Sequence, residues 1–424
     1  MPSSLPLVAS ALIGLVAAQH VGDTPEVHPK LTTYECTLDG GCVEQNTAIV
    51  IDALSHPVYQ VDAPSFGCGD WGNAPNETAC PDLETCQKNC VMQGIEDYSK
   101  YGVTTEGSVL RLDMLADDGS SLSPRVYLLR EDEQEYQMLQ LTGKEFTFDV
   151  DVSKLPCGMN GALYLSEMIA DGSKSDINEA GAYYGTGYCD AQCYTTPFIG
   201  GEPNIEGYGS CCNEMDIWEA NARAAHLAPH PCNFPGLLEC EGEECEYEGV
   251  CDKDGCSYNP YRLNNHESYG EGEGFALDTS RPFTVITSFP ANDEGKLVAY
   301  HRQFIQDGVL MDQGATNLTS FPEQNFLDDP LCEEQGARRY RELGATAGMG
   351  DALSRGMVLA MSVWWDEGGF MQWLDGGDAG PCDATEGDPK NIREIQPDTE
   401  VSFSNIKWGE IGSTYEAPSK SVKY

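Results

Sequence analysis

Basic side chains are scarce in this 424-residue chain, where 24 Lys and Arg face 69 Asp and Glu for a formal net charge of −45. That imbalance excludes nucleic acid and anionic membrane surfaces as partners and disfavours a polyanionic substrate, whereas a neutral polymer stays compatible. Long hydrophobic runs are also lacking. The one exception, Leu5 to Ala18, lies in an 18-residue stretch without a charged side chain and is too short to span a membrane. Small residues at Val16-Ala17-Ala18 offer a cleavage point. Residues 1–18 are therefore expected to form a secretory signal peptide, despite having no basic n-region, leaving 19–424 as a secreted, extracellular chain. Cys-x-x-Cys pairs are missing and the seven histidines are scattered, so no metal and no cofactor is expected. Internal repeats, low-complexity tracts, Ser/Thr/Pro linkers and sustained helical periodicity are absent too, apart from one candidate helix near Glu333 to Leu343. A single domain over 19–424 follows.

What is present is cysteine and strand. Eighteen cysteines, an even number, fit an oxidising compartment and as many as nine disulfides. Six of them fall between Cys36 and Cys90, so Gln19 to about Tyr101 reads as a loop-rich segment stapled onto the body. Beyond it come short apolar runs at 109–112, 126–129, 283–286, 297–300, 357–361 and 401–403. Phe146, Phe148, Val150 and Val152 alternate with Thr147, Asp149 and Asp151, the period of a half-buried strand. Many strands separated by turns and long connections predict an all-β fold, a β-jelly roll sandwich of two curved antiparallel sheets with long disulfide-stapled loops. Asn76-Glu77-Thr78 and Asn317-Leu318-Thr319 are glycosylation acceptors compatible with secretion.

The most informative stretch is Glu214-Met215-Asp216-Ile217-Trp218-Glu219. Glu214 and Asp216 alternate with Met215 and Ile217, so the acids share one strand face and the apolar residues enter a core. Glu219 comes one position too late for that face. A β-bulge at Ile217 or Trp218 would return it there, and bulges often re-aim a side chain beside an active site. The two glutamates could then approach to about 5–5.5 Å, the separation of a retaining glycosidase pair. The competing reading is a solvated strand face on a very acidic protein. The neighbouring cysteines, Cys211 and Cys212, weigh against it, because a solvated face does not need pinning.

From Gly209 to Asn221 the sequence closely resembles glycoside hydrolase family 7, the secreted cellulases. Further similarity lies at 24–31, 146–158, 183–193 and 403–409, so the resemblance covers essentially the whole mature chain. It implies a jelly roll with a cleft along its concave face and retaining hydrolysis of β-1,4-glucosidic bonds. Glu214 would be the nucleophile and Glu219 the general acid/base, with Asp216 between them and hydrogen-bonded to the nucleophile. A nucleophile must stay ionised and an acid must hold its proton, so crowding should raise the pKa of Glu219. His230 matches a histidine close to the acid/base, though it also reads as a histidine fixed in a Pro-flanked loop. Trp364 and Trp373 match stacking tryptophans on either side of the cleavage point. Asn160, Tyr164, Tyr188, Asp190 and Gln192 match polar, sugar-binding cleft residues. Arg262 matches a product-side arginine of exo-acting relatives, against the alternative of a surface salt bridge. The resemblance also suggests disulfides Cys193–Cys211, Cys189–Cys212 and Cys157–Cys382.

Exo-acting members roof the cleft with long loops. Here the Phe198–Gly209 connection is short, Cys240–Cys256 is trimmed, and Asp375–Gly387 resembles the endoglucanase branch, which together imply an open cleft and an endo-β-1,4-glucanase. A departure appears at Leu54-Ser55-His56-Pro57, where the family's Trp-x-Trp platform should stand. The expected partner is a β-1,4-glucan, met as a monomer without an attached cellulose-binding module. Alternatives are a cellobiohydrolase, a broader β-glucanase or xyloglucanase, and a non-catalytic carbohydrate-binding jelly roll.

Overall fold

The computed structural model describes residues 20–416 and 420–422; the expected leader, 1–18, lies outside them. The strands that build the site and its support are β1 (Lys30–Thr37), β2 (Gly41–Ile51), β3 (Val109–Asp113), β4 (Arg125–Leu129), β5 (Lys144–Asp151) and β6 (Met159–Ser166). They continue with β7 (Glu214–Ala220), β8 (Ala225–His230), β9 (Phe283–Ser288), β10 (Tyr300–Gln306), β11 (Met357–Trp365) and β12 (Glu400–Glu410). One layer runs β8–β7–β6–β11–β4–β2–β1 through antiparallel pairs. The other runs β3–β12–β5–β9–β10, also antiparallel. A parallel pairing of β1 with β12 joins the two along one edge. This is the expected all-β jelly-roll sandwich.

The core sits between the layers. Trp218 of β7 is fully buried and meets three rings of the opposite layer, Phe148 at 6.2 Å, Phe283 at 5.8 Å and Phe304 at 6.3 Å. Their edge-on geometry adds to the stabilisation that burial supplies. Nine disulfides engage all eighteen cysteines, among them the three pairings that the resemblance suggested. Among the described residues no helix is long and apolar enough to cross a membrane.

Three local expectations need correction. The segment before Tyr101 is not mainly loop, since β1 and β2 form a long hairpin within the layer that holds β7. Ala48, Ile49, Val50 and Ile51 are all buried, and a strand covered on both faces shows no alternation. The candidate helix at 333–343 is interrupted. It splits into Asp329–Glu334 and Arg338–Glu342, followed by Ala345–Arg355, with Gly336 and Gly344 at positive φ in the breaks. The run at 297–300 contributes only an isolated bridge at Leu297 before β10 begins.

The expected bulge is present in β7. Against β8, three steps from Asp216 to Glu219 oppose two from Ala228 to His226. Against β6, three steps from Met215 to Trp218 oppose two from Leu165 to Leu163. The extra residue therefore lies between Asp216 and Trp218, which brackets Ile217. Its carbonyl accepts from Nη2 of Arg302 in β10, which also donates to the His226 carbonyl at 3.3 Å. Burial pulls the Arg302 pKa down to about 9, which leaves it a cation at neutral pH. Arg302→Met removes that donor and leaves buried carbonyls short of a partner. It should lower the unfolding free energy by about 1–3 kcal/mol and reduce kcat more than it raises KM. A variant with unchanged thermal stability and kcat would contradict this reading.

Candidate active site

The outer face of the layer that holds β7 floors an open cleft of about 1560 Å³, lined by Glu214, Asp216 and Glu219 together with Tyr164, Tyr188, Trp364 and Trp373. Register explains how the acids share it. Glu219 stands beside Ala162 of β6, and Ala162 beside Ser362 of β11, so small neighbours leave room above the carboxylate. At the strand's entry, Cys189–Cys212 and Cys193–Cys211 fasten the 189–193 loop to it. From that loop the Ala191 N–H donates to Glu214 Oε2 at 3.1 Å.

All three carboxylates are buried and each has its own partner. Glu219 Oε1 accepts from Asn160 Nδ2 at 2.8 Å, and Glu219 Oε2 hydrogen-bonds His226 Nε2. Asp216 Oδ2 pairs with His230 Nε2 at 3.0 Å. The other ring nitrogen of His230 donates to the Asp252 carbonyl at 2.9 Å, so both nitrogens face acceptors and both are best protonated. Burial disfavours that cation, but the Asp216 hydrogen bond and the Asp216 and Glu214 charges overcome it and raise the His230 pKa to about 10.

The carboxylates divide accordingly. Burial first, then the Asp216 and Asp190 charges, push Glu214 well above the usual glutamate range. Burial and the Glu219 charge lift Asp216 to about 6, against the pull of His230. Glu219 is the exception. Burial would raise it, but the His226 charge and hydrogen bond, with the Asn160 amide, bring it below its ordinary value. Crowding thus raises Glu214, not Glu219 as the sequence led us to expect, because a histidine stands against Glu219. The groups titrate as a coupled set.

Other expected positions are also redefined. His230 touches Asp216; the histidine on Glu219 is His226, which sequence reading missed. Its signal was the spacing His226-x-Ala228-x-His230, which puts both rings on one strand face. Asp216 is held by His230 Nε2, where a bond to Glu214 had been expected. Asn160 is fully buried, with its second end taking the Ala220 N–H at 3.2 Å, so it orients Glu219 and leaves nothing for a sugar. Tyr164 and Tyr188 share a hydroxyl contact of 3.0 Å, and Tyr188 donates to Asp190 Oδ2 at 3.0 Å. Asp190 Oδ1 caps its own turn by accepting from the Gln192 and Cys193 N–H groups, while the Gln192 side chain donates to the Lys253 carbonyl. Trp364 and Trp373 are neighbours, with ring centroids 6.2 Å apart, and Trp373 lies 5.4 Å from the His226 ring. Arg262 lines the cleft and donates to the Trp373 carbonyl at 3.1 Å.

The chain belongs to glycosyl hydrolase family 7, which it matches over residues 21–415. It is 59% identical over 414 residues to endoglucanase EG-1 of Humicola insolens, spanning 97% of this chain and 95% of that protein. The native structure of the Humicola insolens endocellulase EGI has a TM-score of 0.92 at 60% identity, covering 93% of this chain and 100% of that one. A family 7 cellobiohydrolase from Daphnia pulex reaches 0.87 at 35% identity, with 93% and 100% covered.

His226→Gln keeps a hydrogen-bond donor against Glu219 but removes the positive charge that lowers it. The Glu219 pKa should rise, as read by a 13C NMR titration of labelled glutamate carboxyls. An unmoved or lowered value would contradict the role given to His226.

Proposed function

We propose that this chain is a secreted, retaining endo-β-1,4-glucanase that cleaves internal bonds of cellulose and related β-glucans. The observation that carries this reading is the bulge in β7, which turns Glu214 and Glu219 onto one cleft face. Glu214 attacks the anomeric carbon while Glu219 protonates the leaving oxygen; Glu219 then deprotonates the water that releases the glycosyl-enzyme. The Ala191 N–H helps Glu214 carry negative charge, and cationic His230 offsets the charge of Asp216 beside it. The His226 ring hydrogen-bonds Glu219 and fixes its carboxyl in the cleft for proton transfer to the leaving oxygen.

Endo action is supported by the higher identity to endoglucanases than to the cellobiohydrolase. The short Phe198–Gly209 connection adds to this: it closes early in a small hairpin, Phe198–Ile199 against Glu202–Pro203, instead of extending over the cleft. Secretion is supported by nine disulfides, the mark of an oxidising compartment. A non-catalytic sugar-binding jelly roll is disfavoured, because such a protein has no use for a buried, mutually repelling acid cluster.

Glu214→Gln should lower turnover of a soluble β-1,4-glucan by at least about a thousandfold while oligosaccharide binding persists in calorimetry. Wild-type enzyme should cut the viscosity of carboxymethyl cellulose early and release products in the β configuration. Predominant cellobiose release with little viscosity loss would sink the endo assignment; α products would sink the retaining one.

A further inference from the structure

The cleft runs past Glu214 to an end where Leu54-Ser55-His56-Pro57 carries no tryptophan. The structure fills that place from elsewhere. Trp71, 39% exposed, lines the same cleft beside Leu54 and Ser55. It comes from the loop between Cys68 and Cys80, pinned by Cys68–Cys90 and Cys80–Cys86. Next to it stands Tyr194, 51% exposed, with ring centroids 5.9 Å apart. The Gly72 N–H donates to the Thr195 carbonyl at 3.0 Å, which ties the two loops together.

The indole is held by a cation that lines the same cleft. The Arg125 guanidinium lies 4.8 Å from the Trp71 ring and 3.5 Å from the Tyr188 ring. Asp52 anchors that guanidinium through Nη2 at 3.0 Å, and the same carboxylate caps the turn that carries Leu54. A cation against one region of an aromatic surface fixes its orientation. What remains is an indole held toward a polar groove, with hydroxyl and carboxylate groups around it, and a pyranose ring needs that combination of flat C–H contact edged by hydrogen-bonding partners. Tyr188 links this end to Asp190, whose loop supplies the Ala191 N–H on Glu214. One strand of sugar could thus pass from Trp71 to the reacting bond.

We propose that Trp71, held by Arg125 and flanked by Tyr194, is a carbohydrate-stacking platform for a glucosyl unit several residues from the cleaved bond on the Glu214 side. It supplies an aromatic face at the end of the cleft where Leu54–Pro57 has no tryptophan. The inference rests on the reading of the cleft as a β-glucan site, and it makes substrate length the diagnostic variable. Only a chain long enough to reach from the glutamates to Trp71 gains from the platform.

The test compares kcat/KM for cellohexaose and cellotriose in wild type, Trp71→Ala and Trp71→Phe. The preference for the hexamer should fall roughly tenfold in Trp71→Ala and recover in Trp71→Phe, with most of the change in KM. An unchanged preference would overturn the platform. So would an equal loss on both substrates, which marks a structural role. A wild-type enzyme that cleaves neither oligosaccharide would overturn the reading of the cleft, and the platform with it.

Discussion

One extra residue in one strand decides what this protein can do. In a regular strand Glu214 and Asp216 would face the groove and Glu219 would enter the core. The bulge around Ile217 exchanges the parity of the positions after it, so Trp218 turns inward and Glu219 outward. Both halves of the exchange are visible: Trp218 packs among Phe148, Phe283 and Phe304, and Glu219 lines the cleft. Burial of the indole offsets the broken ladder, and Arg302 occupies the Ile217 carbonyl. Core packing and site geometry are therefore one feature seen from two sides of the sheet.

The electrostatics follow from the same register. Opposite the bulged strand, His226 faces Glu219 and His230 faces Glu214. Each imidazole meets a different carboxylate, because Asp216 takes His230 while Glu219 takes His226. Burial alone would protonate the whole acid cluster. Two histidines divide it instead, one half with Glu214 pushed up and the other with Glu219 held down. In the free site this division has the opposite sense to the working one, in which Glu214 is ionised and Glu219 carries the proton.

Much of this was legible in the sequence where a local pattern carries it. The alternation at 146–151 and the acid motif with its misplaced Glu219 required a strand and a bulge, and the structure has both. Legibility failed where the signal is non-local. His226 gains its role only through pairing with Glu219 across a register that the bulge itself shifts. Arg302 lies far along the chain from the carbonyl it holds, and nothing around it in sequence marks it. Asn160 was read as sugar-binding because it matches a polar cleft residue of the family, but its amide is spent on Glu219 and Ala220. The strand ending in Ala48–Ile51 went unrecognised because burial on both faces erases the period.

The most direct test of the central claim is to trap the covalent intermediate. A 2-deoxy-2-fluoro β-cellobioside with a good leaving group forms the glycosyl-enzyme but turns over slowly, so the attached residue can be located by mass spectrometry of proteolytic peptides. A single glycosyl label on Glu214 is expected. A label on Asp216 or Glu219, or steady turnover with inverted products and no label, would contradict the division of labour assigned to the two glutamates.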